Sequence, residues 1–86
     1  MPTISVFFGI VIRMYFDEHP PPHFHAEHQG EKAVFDYRGN ILQGDISSRT
    51  AVRLIREWVD LYQSELEENW NEMQAGRGFK RIKPLS

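Results

Sequence analysis

The sequence predicts an α+β domain: an antiparallel meander of four or five strands followed by one long or two consecutive C-terminal helices. Three observations predict it. Up to about residue 46, short apolar runs alternate with Gly, Pro and Asn turn signals. From Ala51 onward, Ala51, Ile55, Trp58, Tyr62, Leu66, Trp70 and Met73 follow at spacings of 4, 3, 4, 4, 4 and 3, the period of a single helical stripe. The chain has 86 residues, 41 % of them hydrophobic and 26 % charged, enough for one small core. This makes residues 1–86 one domain, with a meander over 1–46, a helical part over 47–76 and a basic tail over 77–86.

Ile4 to Phe8 reads as the first strand, with Gly9 as a turn or bulge. Ile10 to Phe16 follows with clear alternation: Ile10, Ile12, Met14 and Phe16 face the core, and Val11, Arg13, Tyr15 and Asp17 face away. Glu18 to Pro22 is a loop, because three consecutive prolines cannot donate ladder hydrogen bonds. His23 to His28 forms the next strand, Gln29-Gly30 turns it, and Lys32 to Tyr37 returns. Arg38-Gly39-Asn40 suits a hairpin turn that requires positive φ, leading to a short last strand, Ile41 to Gln43. Ser47 or Ser48 caps the helical region. A single helix of about 27 residues would be about 40 Å long, wider than so small a domain. That length, with a capping-box pattern at Ser64 and Glu67, favours a kink or break near Gln63-Ser64. Gly76 and Gly78 end the helix.

Composition removes several classes of function. With no cysteine, the chain has no disulfide framework, no Cys-based metal site and no thiol nucleophile. A net charge of −2 argues against nonspecific nucleic-acid binding by the whole surface, while leaving room for a local basic patch. The most apolar stretch, Ile4 to Phe16, is too short to span a bilayer and is interrupted by Arg13. The start lacks the pattern of a signal peptide, so the expected location is the cytoplasm.

All four histidines fall within Asp17-Glu18-His19-Pro20-Pro21-Pro22-His23-Phe24-His25-Ala26-Glu27-His28. His23 and His25, two apart on a strand, share a face. Pairing Phe16 with Phe24 sets Asp17 opposite His23, Tyr15 opposite His25 and Arg13 opposite Glu27, with Met14 and Ile12 opposite Ala26 and His28. A slip of one residue would bring the imidazoles onto the apolar face.

Three readings of this face stand side by side. Asp17, His19, His23 and His25 could ligate a divalent metal such as zinc, nickel or manganese, since imidazole and carboxylate are the usual ligands. Alternatively His23 and His25, with Arg13 and Tyr15, could cleave RNA without metal, one imidazole taking the 2′-hydroxyl proton and the other protonating the leaving oxygen. The third reading is a solvated or partner-binding face in which imidazoles pair with carboxylates across the hairpin. Two basic groups are further candidates, for RNA phosphate: Arg49, Arg53 and Arg56 on one helical face, and Arg77, Lys80 and Arg81 in the tail. The bland alternative for the first group is i,i+4 pairing with Glu57 and Asp60. Trp58 and Trp70 lie in the helical stripe and read as packing residues.

Particular strings also resemble a known family. Met1-Pro2-Thr3-Ile4-Ser5, Gly9-Ile10-Val11-Ile12-Arg13-Met14-Tyr15-Phe16 and above all His19-Pro20-Pro21-Pro22-His23-Phe24-His25-Ala26 look like the bacterial domain of unknown function 4160. Ile41-Leu42-Gln43-Gly44, Trp58, Glu65-Leu66, Asn69-Trp70 and Ile82-Lys83-Pro84-Leu85 agree. The resemblance implies one half of a two-gene toxin–antitoxin-like module, with a cognate small protein encoded nearby and RNA or translation as target. On that footing the chain is either a ribonuclease-type toxin using the His-x-His hairpin or a non-catalytic antitoxin or regulatory module, alone or as a homo-oligomer. The resemblance carries no catalytic residues with it.

Overall fold

A computed structural model describes residues 2–86. Met1, the first residue of the opening string quoted above, lies outside them. Five strands form one antiparallel sheet in chain order: β1 (Thr3–Phe7), β2 (Ile10–Arg13), β3 (His23–His28), β4 (Glu31–Asp36) and β5 (Ile41–Gly44). Two helices follow, α1 (Arg49–Leu61) and α2 (Gln63–Gln74). The fold is the expected α+β meander, with five strands and two helices. No helix among the described residues is long and apolar enough to cross a membrane.

Turn chemistry explains the tight hairpins. Phe8 and Gly9 have φ of 49° and 75°, and Gln29 and Gly30 have 49° and 81°. Two-residue loops with both residues at positive φ match the right-handed twist of the strands they join. Gly44 faces a stricter demand. Its φ is 75°, and a Cβ there would lie 2.3 Å from the Lys32 carbonyl oxygen, which is backbone and cannot swing aside. Gly44→Ala is expected to destabilise by at least about 1–3 kcal/mol through the backbone conformation alone. Chemical denaturation should show this as a lower midpoint, with Gly30→Ala, whose Cβ would meet open space, serving as the positive-φ control.

The core lies between one face of the sheet and the helices. Ile10, Ile12, Phe24, Ala26, Ala33 and Phe35 project from the sheet onto Ile55, Trp58, Val59 and Leu66. Trp58 is fully buried, with ring centroids 5.5 Å from Phe7 and 5.7 Å from Phe24. Ser48 is the cap of α1, its hydroxyl accepting from the Ala51 N–H at 3.1 Å, while Ser47 bonds to Glu31. The break between helices falls at Tyr62 (φ −122°, ψ 31°), whose N–H still reaches the Trp58 and Val59 carbonyls. The expected Ser64–Glu67 capping box does not form: Ser64 donates to Glu65, and α2 starts without a side-chain cap.

The last residues do more than trail into solvent. Asn69 donates to the Lys80 carbonyl at 2.7 Å and accepts from its N–H at 2.8 Å. Ile82 is buried, its N–H bonds to the Ile4 carbonyl, and the Trp58 indole N–H donates to Lys83 at 2.8 Å. A chain segment rich in Lys and Arg thus packs through its backbone, the buried Ile82 and the partly buried Leu85.

One expectation about register is corrected. β2 ends at Arg13, and β2 and β3 pair Ile12 with Ala26 and Arg13 with His25, two residues away from the expected match of Phe16 with Phe24. β2 stops at Arg13 and the chain turns at Phe16 and Asp17, the latter at φ 60°, so Phe16 does not join the ladder. Phe24 finds its aromatic partner on β4, stacking on Phe35 with centroids 5.5 Å apart, and Phe16 is exposed rather than core. A slip of two leaves every side chain on its expected face, because the side-chain period is two.

Candidate metal centre

β3 begins at His23 and alternates Phe24 and Ala26 into the core with His23 and His25 on the other face. The loop before it brings Glu18 alongside. Gln74, at the end of α2, donates to the Glu18 backbone carbonyl at 2.6 Å and ties this loop to the helix. The Glu18 carboxylate then meets both imidazoles: Oε2 lies 3.0 Å from His23 Nε2, and Oε1 lies 3.2 Å from His25 Nε2. One donor atom from each of the three residues lies within 4.8 Å of the others. Their side chains are 24 %, 11 % and 34 % exposed for Glu18, His23 and His25, so the cluster is sheltered and still reachable.

Tautomer logic makes His23 informative. Its Nδ1 lies 2.9 Å from the Pro21 carbonyl, an atom that can only accept, so Nδ1 carries the proton. In a neutral ring Nε2 then presents a lone pair to the Glu18 carboxylate. Two lone pairs at 3.0 Å repel unless a proton or a metal ion lies between them. Fixing of the far ring nitrogen by a backbone carbonyl is the outer-sphere arrangement typical of metal-ligating histidines. Ligand atoms about 2.1 Å from an ion at tetrahedral or octahedral angles stand about 3.0–3.4 Å apart; Oε2 has this spacing from His23 and Oε1 from His25, while the three-residue set as a whole lies within 4.8 Å.

Aromatic rings hold both imidazoles in place. The Tyr15 ring stands perpendicular to His25 with centroids 4.6 Å apart, and Trp70 of α2 packs on His23 at 5.3 Å. Arg13, directly opposite His25, forms an ion pair with Glu27 at 2.9 Å, a diagonal contact and not the directly opposed one expected. Arg13, Tyr15, His25 and Lys32 border a shallow depression of about 170 Å³ beside the cluster.

The structure thus brings together His23, His25 and Tyr15, with Arg13 close by. Asp17 and His19, the other two expected ligands, are exposed and lie outside the cluster, and Glu18 is the carboxylate that meets the two imidazoles. The register that paired Asp17 with His23 required β2 to run on past Arg13, and it does not. Only the loop conformation selects Glu18, since the sequence offers two adjacent carboxylates and no means of choosing between them. His28, on the core-facing side of β3 opposite Ile10, has a buried Nδ1 without a hydrogen-bond partner.

The basic candidates are mostly engaged. Arg53 pairs with Glu57 at 3.0 Å, Arg77 with Glu72, and Lys80 with Glu68 at 3.6 Å. Arg56 donates to the Gly39 carbonyl at 2.9 Å and so clamps the β4–β5 hairpin to α1. Arg49 and Arg81 are exposed. Among other titratable groups, burial pushes the Tyr37 phenol well above its usual value, where it donates to the Leu66 carbonyl. Burial also acts to raise Asp36, but hydrogen bonds from the Asn40 and Arg38 N–H groups outweigh it and hold the carboxyl below its ordinary value.

A family model described as "Domain of unknown function (DUF4160)" matches residues 9–71, a span that contains the whole cluster. No curated protein and no solved structure matches the chain.

Proposed function

The chain belongs to the DUF4160 family, whose description names no activity, and from its site we propose that it is a metal-dependent domain in which Glu18, His23 and His25 hold a divalent transition-metal ion. The carrying observation is the convergence of two imidazole Nε2 atoms on one carboxylate, with the His23 tautomer fixed by Pro21. Two imidazoles and a carboxylate suit zinc, nickel, iron or manganese, and three protein ligands leave coordination positions open for water and substrate. An ion bound in this way supplies Lewis acidity and an activated water, the chemistry of phosphodiester hydrolysis. On the same face Arg13 is paired with Glu27, and the exposed Lys32 is the cation that favours an anionic substrate. In the toxin–antitoxin-like setting implied by the family resemblance, this is the ribonuclease-type effector. A metal-free acid–base pair is less well served, because both Nε2 atoms are directed at the same carboxylate and not at a substrate.

A second reading, a non-catalytic antitoxin or regulatory module, draws on apolar exposure: Phe8 is 60 % exposed and Leu42 49 %. A cognate protein covering such positions would neutralise or be neutralised. Two experiments decide. Untagged protein dialysed against zinc, nickel, manganese or iron(II) should retain about one ion per chain by elemental analysis, and no retention of any of them refutes the metal. Expression alone should arrest growth, with relief by His25→Ala. Harmless expression that protects against the product of a neighbouring gene would favour the regulatory reading.

A further inference from the structure

An open cleft of about 560 Å³ is lined by Trp70, Pro21 and Pro22, of which Trp70 also packs on His23, and its volume falls within the range of about 300–1,000 Å³ that small-molecule sites occupy. We propose that this cleft receives the nucleobase of a nucleotide whose phosphate lies at Glu18, His23 and His25. The phosphate half rests on the metal reading above, whereas the base half stands on the cleft alone.

Pro21 and Pro22 form one wall and Trp70 another, so the cleft offers rigid apolar surfaces that lose little entropy when a flat ring stacks on them. Arg38, Glu67 and Asn71 edge it, supplying donors and an acceptor to the rim of such a ring. Asp36, also in the lining, is committed to Arg38 and Asn40 within the hairpin and is spoken for. Two of the cleft's walls are also supports of the metal cluster: the Pro21 carbonyl fixes His23 Nδ1, and the Trp70 ring packs on the His23 ring. A base seated against Trp70 therefore shares a neighbour with the His23 ring, and its ribose would carry the phosphate toward the cluster. A free anion would use only the cluster, and a purely apolar ligand would leave Arg38, Glu67 and Asn71 unused.

Titration of adenosine, AMP and inorganic phosphate into ¹⁵N-labelled full-length protein, without metal and with zinc, tests this. Adenosine is expected to shift the Trp70 indole and the Asn71 side-chain amide in the metal-free protein, while the buried Trp58 indole, bonded to Lys83, stays in place. Trp70→Ala should weaken adenosine at least about fivefold, the low end of what one stacked base contributes, and Trp70→Phe should restore most of it. With zinc, AMP should bind at least tenfold tighter than adenosine. Cleft resonances that ignore millimolar adenosine, or unchanged adenosine affinity in a folded Trp70→Ala, overturn the base site even where zinc binds. Zinc retention with AMP no tighter than adenosine overturns the link between cleft and cluster. Failure of zinc to bind refutes the metal reading, and the adenosine arm still decides the cleft.

Discussion

Trp58→Ala is expected to lower the stability of this domain by about 3–5 kcal/mol, the range for truncating a buried aromatic residue. A chain of 86 residues has about 4–13 kcal/mol in total at the usual stability per residue. The loss is concentrated here for structural reasons. Trp58 is fully buried, touches the rings of Phe7 on β1, Phe24 on β3 and Tyr62 at the helix break, and donates to Lys83 in the C-terminal segment. It joins the sheet, both helices and the tail. Chemical denaturation should show a marked drop in midpoint and an early loss of amide protection at Ile82. Leu61→Ala, at a position 65 % exposed, should shift stability by no more than about 0.5 kcal/mol. Equal effects at the two positions would contradict the packing described.

Glu18→Gln is expected to weaken zinc binding by at least about 100-fold. Loss of an outer-sphere partner already costs about 10–100-fold, and in the proposed centre Glu18 would supply both a ligand atom and the charge that balances the ion. Asp17→Asn, one residue away and outside the cluster, should leave affinity within a few-fold of the wild type. Calorimetric titration of zinc into the two variants separates a carboxylate that ligates from one that merely adds negative charge nearby. Parity between them would show general electrostatic attraction only. Because Glu18 is partly exposed and its backbone, not its side chain, is bonded to Gln74, the substitution should preserve the fold.

The contrast between these two carboxylates also marks how far the sequence could be read. Alternation in β3 placed His23 and His25 together on the face away from Phe24, and that needs only the two-residue period of a strand. The helical stripe placed Trp58 in the core, because helical spacing fixes a face without knowledge of the partner. Both inferences tolerate an error of two in register, and that error occurred: nine residues separate β2 from β3, and a loop of that length does not pin the ladder as the two-residue turns do. Glu18 depended on that loop, which is why Asp17 looked equivalent on paper. Trp70 read as packing, and it does pack on His23 and beside the core, but its half-buried position also makes it a wall of the cleft. The anchoring of the tail through the Ile82 N–H and the Lys83 carbonyl is marked in the tail's own side chains only by Ile82 and Leu85.

Long-range ¹H–¹⁵N correlation spectra of the imidazole nitrogens, recorded on untagged protein as zinc is added, address the metal centre most directly, since all four histidines report at once. Nε2 of His23 and Nε2 of His25 are expected to shift together and saturate at one equivalent, while Nδ1 of His23 keeps its proton toward Pro21 and the rings of His19 and His28 stay unchanged. Saturation through His19 or His28, or four rings that all ignore the metal, would contradict the proposed centre.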